Sequence, residues 1–196
     1  MSSETPDIVQ ISDLTIAGFL DSATGRAAGR NRGDCAAIAT CGLDRAGCLY
    51  VLDLWLKRAS PTQQIAAMFD LHEKWTYALF GLETNCFQQL LLLPIEEERE
   101  RRKKAGRPWQ IPIREVHHSQ NKEMRIATLE PLVTNGWLRF AHDLPEPFWA
   151  QMQSFPNADH DDALDALEGA ASLLRSMQME TRGGKRRGSV QKLAAF

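Results

Sequence analysis

The sequence lacks the patterns of several common protein classes. Its four cysteines form no Cys-x-x-Cys pair and have no histidines at zinc-finger spacing, which argues against a structural zinc site. The stretch Met1–Asp7 is polar and acidic, unlike a signal peptide, and the longest apolar run, Leu90–Ile95, contains a proline and is too short to span a membrane. We therefore expect a globular protein with reduced thiols and no membrane association.

Two further absences concern nucleic acid and nucleotides. The formal net charge is only −2, so overall charge gives no attraction for DNA, and any affinity must come from local basic residues or bound cations. A Gly-x-x-x-x-Gly-Lys-Ser/Thr loop is missing, and Gly183-Gly184-Lys185 has neither its spacing nor its hydroxyl residue. ATP-driven movement of DNA is therefore not an activity expected of this chain.

What is present is an alternation of strand and helix patterns. Apolar runs at Leu14–Leu20, Asp34–Thr40 and Cys48–Lys57 predict three strands of an antiparallel meander. Ser60-Pro61 predicts a helix start, because serine caps helices and proline suits their first position. The later patterns predict a strand at Leu79–Leu82, a long helix to about Lys104, a strand at Ile111–Val116, a helix at Asn121–Val133, a strand at Gly136–Phe140, and helices at Pro145–Met152 and Asp161–Met177.

This order predicts an α/β fold in which helices cover both faces of a central mixed sheet. The length suits one compact domain plus extensions. We expect residues 1–13 to be an N-terminal extension or linker, and residues 14–178 to form the domain. Residues 179–196 are rich in lysine and arginine, and we expect them to be a tail that is disordered in isolation.

Acidic residues recur at the ends of the predicted elements. Asp21 follows the first strand, Glu83 follows the fourth, and Asp161 and Asp162 open the last helix. Residues at neighbouring strand ends can meet at one edge of a sheet, and a helix start packed there adds a further carboxylate. Converging carboxylates repel one another unless a cation neutralises them, and their hard oxygens suit Mg²⁺ or Mn²⁺. Taken singly, each acid is more typical of a turn or a helix cap.

Seven segments occur in the order found in one known family. They are Ile16–Gly25, Asp34 with Ala36–Ile38, Tyr50–Pro61, Gly81–Gln88, Asn121–Ile126, Gly136–Phe140, and Phe155–Leu167 with its His160-Asp161-Asp162. Together they resemble the nuclease domain of bacteriophage terminase large subunits and cover about residues 14–175. Ser22 departs from the pattern, since the family usually has proline there, and the packaging ATPase of a large subunit has no counterpart in the sequence.

The resemblance implies an RNase H-like fold, with a central mixed sheet of the five-stranded type and helices on both faces. It implies Asp21, Glu83 and Asp162 as catalytic residues, and a metal-binding set that also contains Asp161. Two divalent cations, Mg²⁺ or Mn²⁺, would be the cofactors of a phosphodiester hydrolysis. Asp34 is implied as an outer or occasional ligand.

By the same resemblance, the function is that of a DNA endonuclease which cuts concatemeric viral DNA during genome packaging. The implied partners are double-stranded DNA, the packaging ATPase, the portal and the small terminase subunit. The implied location is the cytoplasm of an infected or lysogenic bacterium. Two alternatives stay open. One is another RNase H-like nuclease, acting on DNA junctions or RNA/DNA hybrids, and the other is a module without catalysis that docks on the packaging motor.

The helical pattern leaves the choice of acid on the last helix open. At about 100° per residue, Asp161 and Asp162 flank the apolar face nearly symmetrically, and we favour Asp162. Asp165 points away from that face, so we expect it to face solvent or to support a ligand from outside. His160 is interpreted either as a proton shuttle or metal neighbour, or as an ordinary loop residue.

Basic residues near the acids are candidate DNA contacts. Lys122 is interpreted either as a contact to the scissile phosphate that orients the attacking water, or as a solvated helix start. Arg125, one turn later, is interpreted as a contact to backbone phosphate. Arg26, Arg30 and Arg32 belong to a Gly-rich loop after the first strand, where they either follow DNA phosphates or are simply solvated.

Overall fold

The computed structural model describes residues 9–22, 35–83, 91–158 and 160–183. The strands are β1 (Thr15–Asp21), β2 (Ala36–Leu43), β3 (Leu49–Lys57), β4 (Leu79–Glu83), β5 (Ile113–Val116) and β6 (Leu138–Phe140). The helices are α1 (Pro61–Trp75), α2 (Leu92–Lys104), α3 (Lys122–Ala127), α4 (Glu130–Thr134), α5 (Glu146–Ser154) and α6 (Asp162–Gly183), with a short 3₁₀ turn at Ile11–Asp13. The strands form one six-stranded sheet in the order β5-β4-β1-β2-β3-β6.

The first three strands form the predicted antiparallel meander. β1 pairs with β2 and β2 pairs with β3, with an irregularity between Thr40 and Cys41 in the second pairing. On the other side of β1, β4 runs parallel to it and β5 runs parallel to β4. At the far edge, β6 runs parallel to β3. The predicted mixed sheet is therefore confirmed, and it contains one strand more than the five-stranded type.

Helices cover both faces of the sheet, as predicted. β2 is buried along its whole length because it lies in the middle of the sheet and has a layer of helices on each side. Its residues Ala37, Ala39 and Cys41 belong to the core beneath α3, α5 and α6. Ala36 and Ile38 belong to the core beneath α1 and α2. Coverage on both faces explains why this strand is almost continuously apolar in sequence.

Phe19 sets the spacing between the sheet and α6. A Cβ atom added to Gly169 on α6 would lie 2.5 Å from the Phe19 ring, and one added to Gly81 on β4 would also clash with that ring. The ring is therefore enclosed between two glycines, which allow the backbones of α6 and β4 to approach it closely. This packing holds α6 against the middle of the sheet, near the end of β1.

The prediction of one helix over Asn121–Val133 is wrong. The structure has two short helices instead, because α3 ends at Ala127 and α4 begins at Glu130. Pro131 explains the break, since its ring would clash in a continuous helix with the carbonyl group four residues earlier. Pro131 is therefore the residue in the sequence that indicates this break.

The last helix is longer than predicted. It was expected to end at Met177, but α6 continues to Gly183. Arg114 on β5 contributes to this extension through an ion pair with Glu180 at 3.2 Å. The expected boundary between the domain and a basic tail therefore falls inside the helix. None of the helices in the described ranges is long and apolar enough to cross a membrane.

Candidate active site

Asp21 and Glu83 lie at the ends of two neighbouring parallel strands. Leu20 on β1 is paired with Leu82 on β4. One residue further on, the same register places Asp21 beside Glu83 at the edge of the sheet. Side chains alternate along a strand, so both carboxylates lie on the face where Phe19 packs against α6. The structure thus brings together the two acids that the sequence placed at strand ends.

The first turn of α6 adds further acids to this edge. Asp161 immediately precedes the helix, and Asp162 and Asp165 lie in its first turn. The Gln151 side chain on α5 accepts a hydrogen bond from the Ala163 backbone N–H at 3.0 Å, which satisfies one donor at the helix start. Asp165 is buried, with 7% of its surface exposed, which disfavours the first of its two interpretations, exposure to solvent, and leaves the second, support of a ligand from outside.

Lys122 lies among the carboxylates. Its ammonium nitrogen is 3.0 Å from Asp161 Oδ1, and 3.3 Å from both Asp21 Oδ2 and Asp165 Oδ2. Asn121 starts α3 just before it, because the Asn121 side chain accepts a hydrogen bond from the next-but-one backbone N–H at 2.8 Å. Lys122 is therefore a counter-ion of the site rather than a solvated helix start.

Arg125 lies deeper, between α3 and α6. Its guanidinium forms an ion pair with Asp165 Oδ1 and donates a hydrogen bond to Glu168 Oε2, both at 2.7 Å. The side chains of all three residues are only 10% exposed. This placement does not support the predicted contact between Arg125 and DNA phosphate, because the guanidinium is enclosed and already paired. Glu168 was missed in the sequence, although an acid on the otherwise apolar face of a helix was a possible signal.

Two histidines lie close to the acids. His160 Nδ1 is 3.8 Å from Asp162 Oδ2, so this predicted neighbour of the site is at its edge. His118 follows β5, and its ring packs against Phe19 with a centroid distance of 5.7 Å. Burial lowers the pKa of His118, and the nearby Arg125 lowers it further. Burial therefore favours the neutral form of the His118 imidazole beside these acids.

Carboxylates outnumber cations at this edge of the sheet. The described acids are Asp21, Glu83, Asp161, Asp162, Asp165 and Glu168, and the basic side chains paired with them are Lys122 and Arg125. Burial raises the pKa of Asp21 to about 7; Lys122 opposes this rise, while Asp165 and Asp162 add to it. Burial disfavours the charged form of Lys122, but the attraction of Asp21 and Asp165 outweighs it and raises the lysine pKa.

The chemistry of these side chains fits a divalent cation. Carboxylate oxygens are the hard donors that Mg²⁺ and Mn²⁺ prefer, and burial, with smaller contributions from Asp165 and Asp162, raises the pKa of Asp21 despite the opposing charge of Lys122. Within the described ranges, no three His, Cys, Asp or Glu side chains already form a group able to hold a metal ion. The donors are thus suitable, but they are arranged around the Lys122 ammonium.

Some predicted site residues lie outside the described residues. These are Asp34, the candidate outer ligand, and the loop arginines Arg26, Arg30 and Arg32. The part of the site that the structure describes therefore comes from β1, β4, α3 and the start of α6.

Solved structures of terminase nucleases share this fold. The nuclease domain of the human cytomegalovirus terminase, soaked with manganese and bound to an inhibitor, matches with a TM-score of 0.59 and 11% identity, over 84% of this chain and 85% of that one. The large terminase nuclease of the thermophilic phage G20c matches with a TM-score of 0.55 and 16% identity, over 81% of each chain. The large terminase of bacteriophage HK97 matches with a TM-score of 0.53 and 12% identity, over 82% of this chain but 39% of that one.

No curated protein sequence matches the chain. A protein-family model described as the terminase RNaseH-like domain, however, matches residues 19–173. The predicted RNase H-like fold is thereby confirmed, and the resemblance read from the short motifs was correct. Because the match begins within β1 and ends within α6, it includes both strand-borne acids and the acidic start of the last helix, and the chain belongs to the terminase RNaseH-like domain family.

Proposed function

We propose that this protein is a metal-dependent DNA endonuclease that cuts concatemeric viral DNA during genome packaging. The observation that supports this most is the convergence of carboxylates from β1, β4 and α6 at one edge of the sheet. A buried excess of carboxylates is costly unless cations neutralise it. In a chain of this family, the excess carboxylates would bind the cations that take part in phosphodiester hydrolysis.

Asp21, Glu83, Asp161 and Asp162 are the residues that would hold divalent cations. When bound, a pair of such cations would supply activation of the phosphodiester and a hydroxide formed from water near neutral pH. The two strand ends hold their carboxylates on the rigid sheet, and α6 holds the other two at its start. Rigid elements on both sides would keep the oxygen donors in place while DNA binds.

Lys122 would orient the DNA. Its side chain is 35% exposed, and its ammonium lies among the carboxylates. From this position it can donate a hydrogen bond to a phosphate oxygen of a strand that lies against the acids. Contacts to phosphate position DNA without reading its sequence, so we propose cutting with little sequence preference.

DNA and the packaging machinery are the proposed partners. The net charge of −2 makes delivery by other components more important than attraction by the whole protein. We propose that the packaging ATPase, the portal and the small terminase subunit bring double-stranded DNA to this site, in the cytoplasm of the bacterial host. The loop containing Arg26, Arg30 and Arg32 is proposed to follow the DNA backbone.

Cleavage of supercoiled plasmid tests the proposal. The protein is incubated with plasmid in Mn²⁺, in Mg²⁺ and in chelator, and nicked and linear products are measured. We expect cleavage only with metal, and at least a hundredfold loss in Asp21→Asn and Asp162→Asn, in line with the usual size of such effects. Asp143→Asn, which changes an exposed carboxylate outside the acidic cluster, is the control and should cleave like the wild type.

Two outcomes would contradict the proposal. Equal cleavage by wild type and Asp21→Asn would show that the carboxylate cluster is not the catalytic site. No cleavage of plasmid in either metal, together with cleavage of branched DNA or RNA/DNA hybrids, would instead assign the site to a different nuclease activity. A protein inactive on all of these substrates, but bound by the packaging motor, would be a docking module.

A further inference from the structure

Asp165 and Glu168 are two acids on one buried face of α6. They are three residues apart, so they are neighbours on the helix surface, and only 7% and 8% of their respective surfaces are exposed. Two carboxylates at this distance, away from water, cannot both be ionised without a positive charge beside them. The sequence around them is apolar, with Leu164 and Leu167 on either side of Asp165 and fully in the core.

Arg125 supplies that charge. One guanidinium nitrogen is 2.7 Å from Asp165 Oδ1 and another is 2.7 Å from Glu168 Oε2. A guanidinium stays protonated at every pH the protein meets, so the positive charge is permanent. The planar group fits two carboxylates at once, which a lysine ammonium does less well. Arg125 thereby ties α3 to α6 across 43 residues of sequence.

The pairing leaves Asp165 with both oxygens engaged. Oδ1 forms an ion pair with Arg125 at 2.7 Å, and Oδ2 lies 3.3 Å from the Lys122 ammonium. Asp161 differs from it, because its Oδ1 lies 3.0 Å from the Lys122 ammonium and the residue precedes the helix. The ion pair with the buried Arg125 therefore sets Asp165 apart from Asp161, although the two residues are of the same type.

We propose that Arg125 is a positioning residue which keeps Asp165 out of the cation-binding set. It leaves Asp161 and Asp162 as the acids of α6 that act with Asp21 and Glu83. This inference rests on the proposed function, since it concerns the cations of that site. The same contact fixes α3 relative to α6, so it also places Lys122, one turn earlier, among the carboxylates.

A charge-balanced double variant tests the proposal. Arg125→Met together with Glu168→Gln removes one positive and one negative charge, so the local net charge is unchanged while Asp165 loses its partner. Mn²⁺ affinity is measured by calorimetry in the full chain. We expect Mn²⁺ to bind about tenfold more tightly, the usual order of effect for outer contacts at metal sites, because Asp165 becomes available as a donor.

Adding Asp165→Asn to the double variant is the matched control. The gain in Mn²⁺ affinity should then disappear, since the carboxylate responsible for it is gone. Glu168→Gln alone, which keeps Arg125 paired with Asp165, should keep the wild-type affinity. This single variant also serves if the double variant does not fold, because a tenfold change in its Mn²⁺ affinity would overturn the proposal.

The opposite results have distinct meanings. If the double variant binds Mn²⁺ more weakly, Arg125 orients Asp165 as a ligand, and the proposal is overturned while the proposed function stands. An unchanged affinity also overturns it. If the wild type itself binds no Mn²⁺, the proposed function fails and the exclusion of Asp165 fails with it. A lower melting temperature of the double variant would then identify the ion pair as purely structural.

Discussion

Two clusters of ionic side chains among the described residues differ in charge balance. One lies between α1 and α2, where Arg102 is completely buried and pairs with Glu98 at 2.6 Å, with Glu73 at 3.2 Å and with Asp70. Arg107 pairs with the same two acids of α1, and Arg101 pairs with Glu98. In this first cluster, three arginines face three carboxylates.

The other cluster is the candidate active site, where Lys122 and Arg125 face an excess of carboxylates. The comparison separates two uses of buried charge. In the balanced cluster, the arginines hold α1 and α2 together, and the carboxylates need no further cation. In the unbalanced cluster, burial first, and then the neighbouring acids Asp165 and Asp162, raise the pKa of Asp21, and a further cation would balance the remaining carboxylates.

The largest effect is expected from a substitution that breaks the balanced cluster. Arg102→Met should destabilise the protein by about 3 kcal/mol, because removing one partner of a buried ionic network leaves the others unpaired. Thermal unfolding would report this as a fall in melting temperature of about 6–12 °C for a chain of this size. Arg101→Met, on the exposed side of the same helix, is the control and should change the melting temperature little. Equal effects of the two variants would contradict the distinction between them.

Divalent metal should affect only the unbalanced cluster. At a Mn²⁺ concentration about one hundred times the dissociation constant, binding stabilises the folded state by about 2.7 kcal/mol. We expect the melting temperature to rise by about 5–10 °C in both the wild type and Arg102→Met. The rise should be absent in Asp21→Asn. A rise that depended on Arg102 would show that the two clusters are coupled.

Replacing Lys122 sharpens the comparison within the site. In chelator, Lys122→Met should lower the melting temperature by about 2–4 °C, because its three acidic partners then repel one another without a partly exposed counter-ion. In Mn²⁺ the stabilisation should exceed that of the wild type, since metal no longer competes with the ammonium for the same oxygens. Lys74→Met, which breaks an exposed ion pair with Asp53, should leave the metal-induced rise unchanged.

Lowering the pH should reduce the stability that the balanced cluster contributes, by less than the substitutions above. Hydrogen bonds from Arg101, then from Arg102, lower the pKa of Glu98 against the opposing effect of burial. A lowered pKa in the folded state gives stability that is present above the ordinary glutamate pKa of about 4.3 and is lost as the pH falls below it. Melting temperatures measured from pH 6 to pH 3 should therefore fall less steeply in Glu98→Gln than in the wild type. Parallel curves would exclude this contribution.

Local patterns in the sequence were enough to predict most of the fold. The meander, the capped start of α1 and the order of strands and helices depend on periodicity and on neighbouring residues, such as Ser60 and Gln63 in the capping box. The acids at strand ends were found because strand ends are also local features. Their arrangement around one ammonium was not predicted, because the contact between Lys122 and Asp21 joins residues 101 positions apart.

The same distance in sequence explains why the partners of two site residues were not predicted. An arginine on a short helix, such as Arg125, gives no local sign of a buried partner. For Asp165 the helical wheel left solvent exposure and support of a ligand both open, because it considers only the apolar face of α6 and not the guanidinium that packs beside it. Long-range ion pairs between unlike elements leave no periodic trace in a single sequence.

The ring of Phe19, held between Gly81 and Gly169, has a mechanical consequence. Phe19 lies on the strand that carries Asp21, and its ring packs against Gly169 of the helix that begins at Asp162. Replacing Gly169 with alanine would place a methyl group against the Phe19 ring and push the helix away from the sheet without altering any charge. The distance between Asp21 and the acids at the start of this helix therefore depends on apolar packing in the core as much as on the charges of the carboxylates.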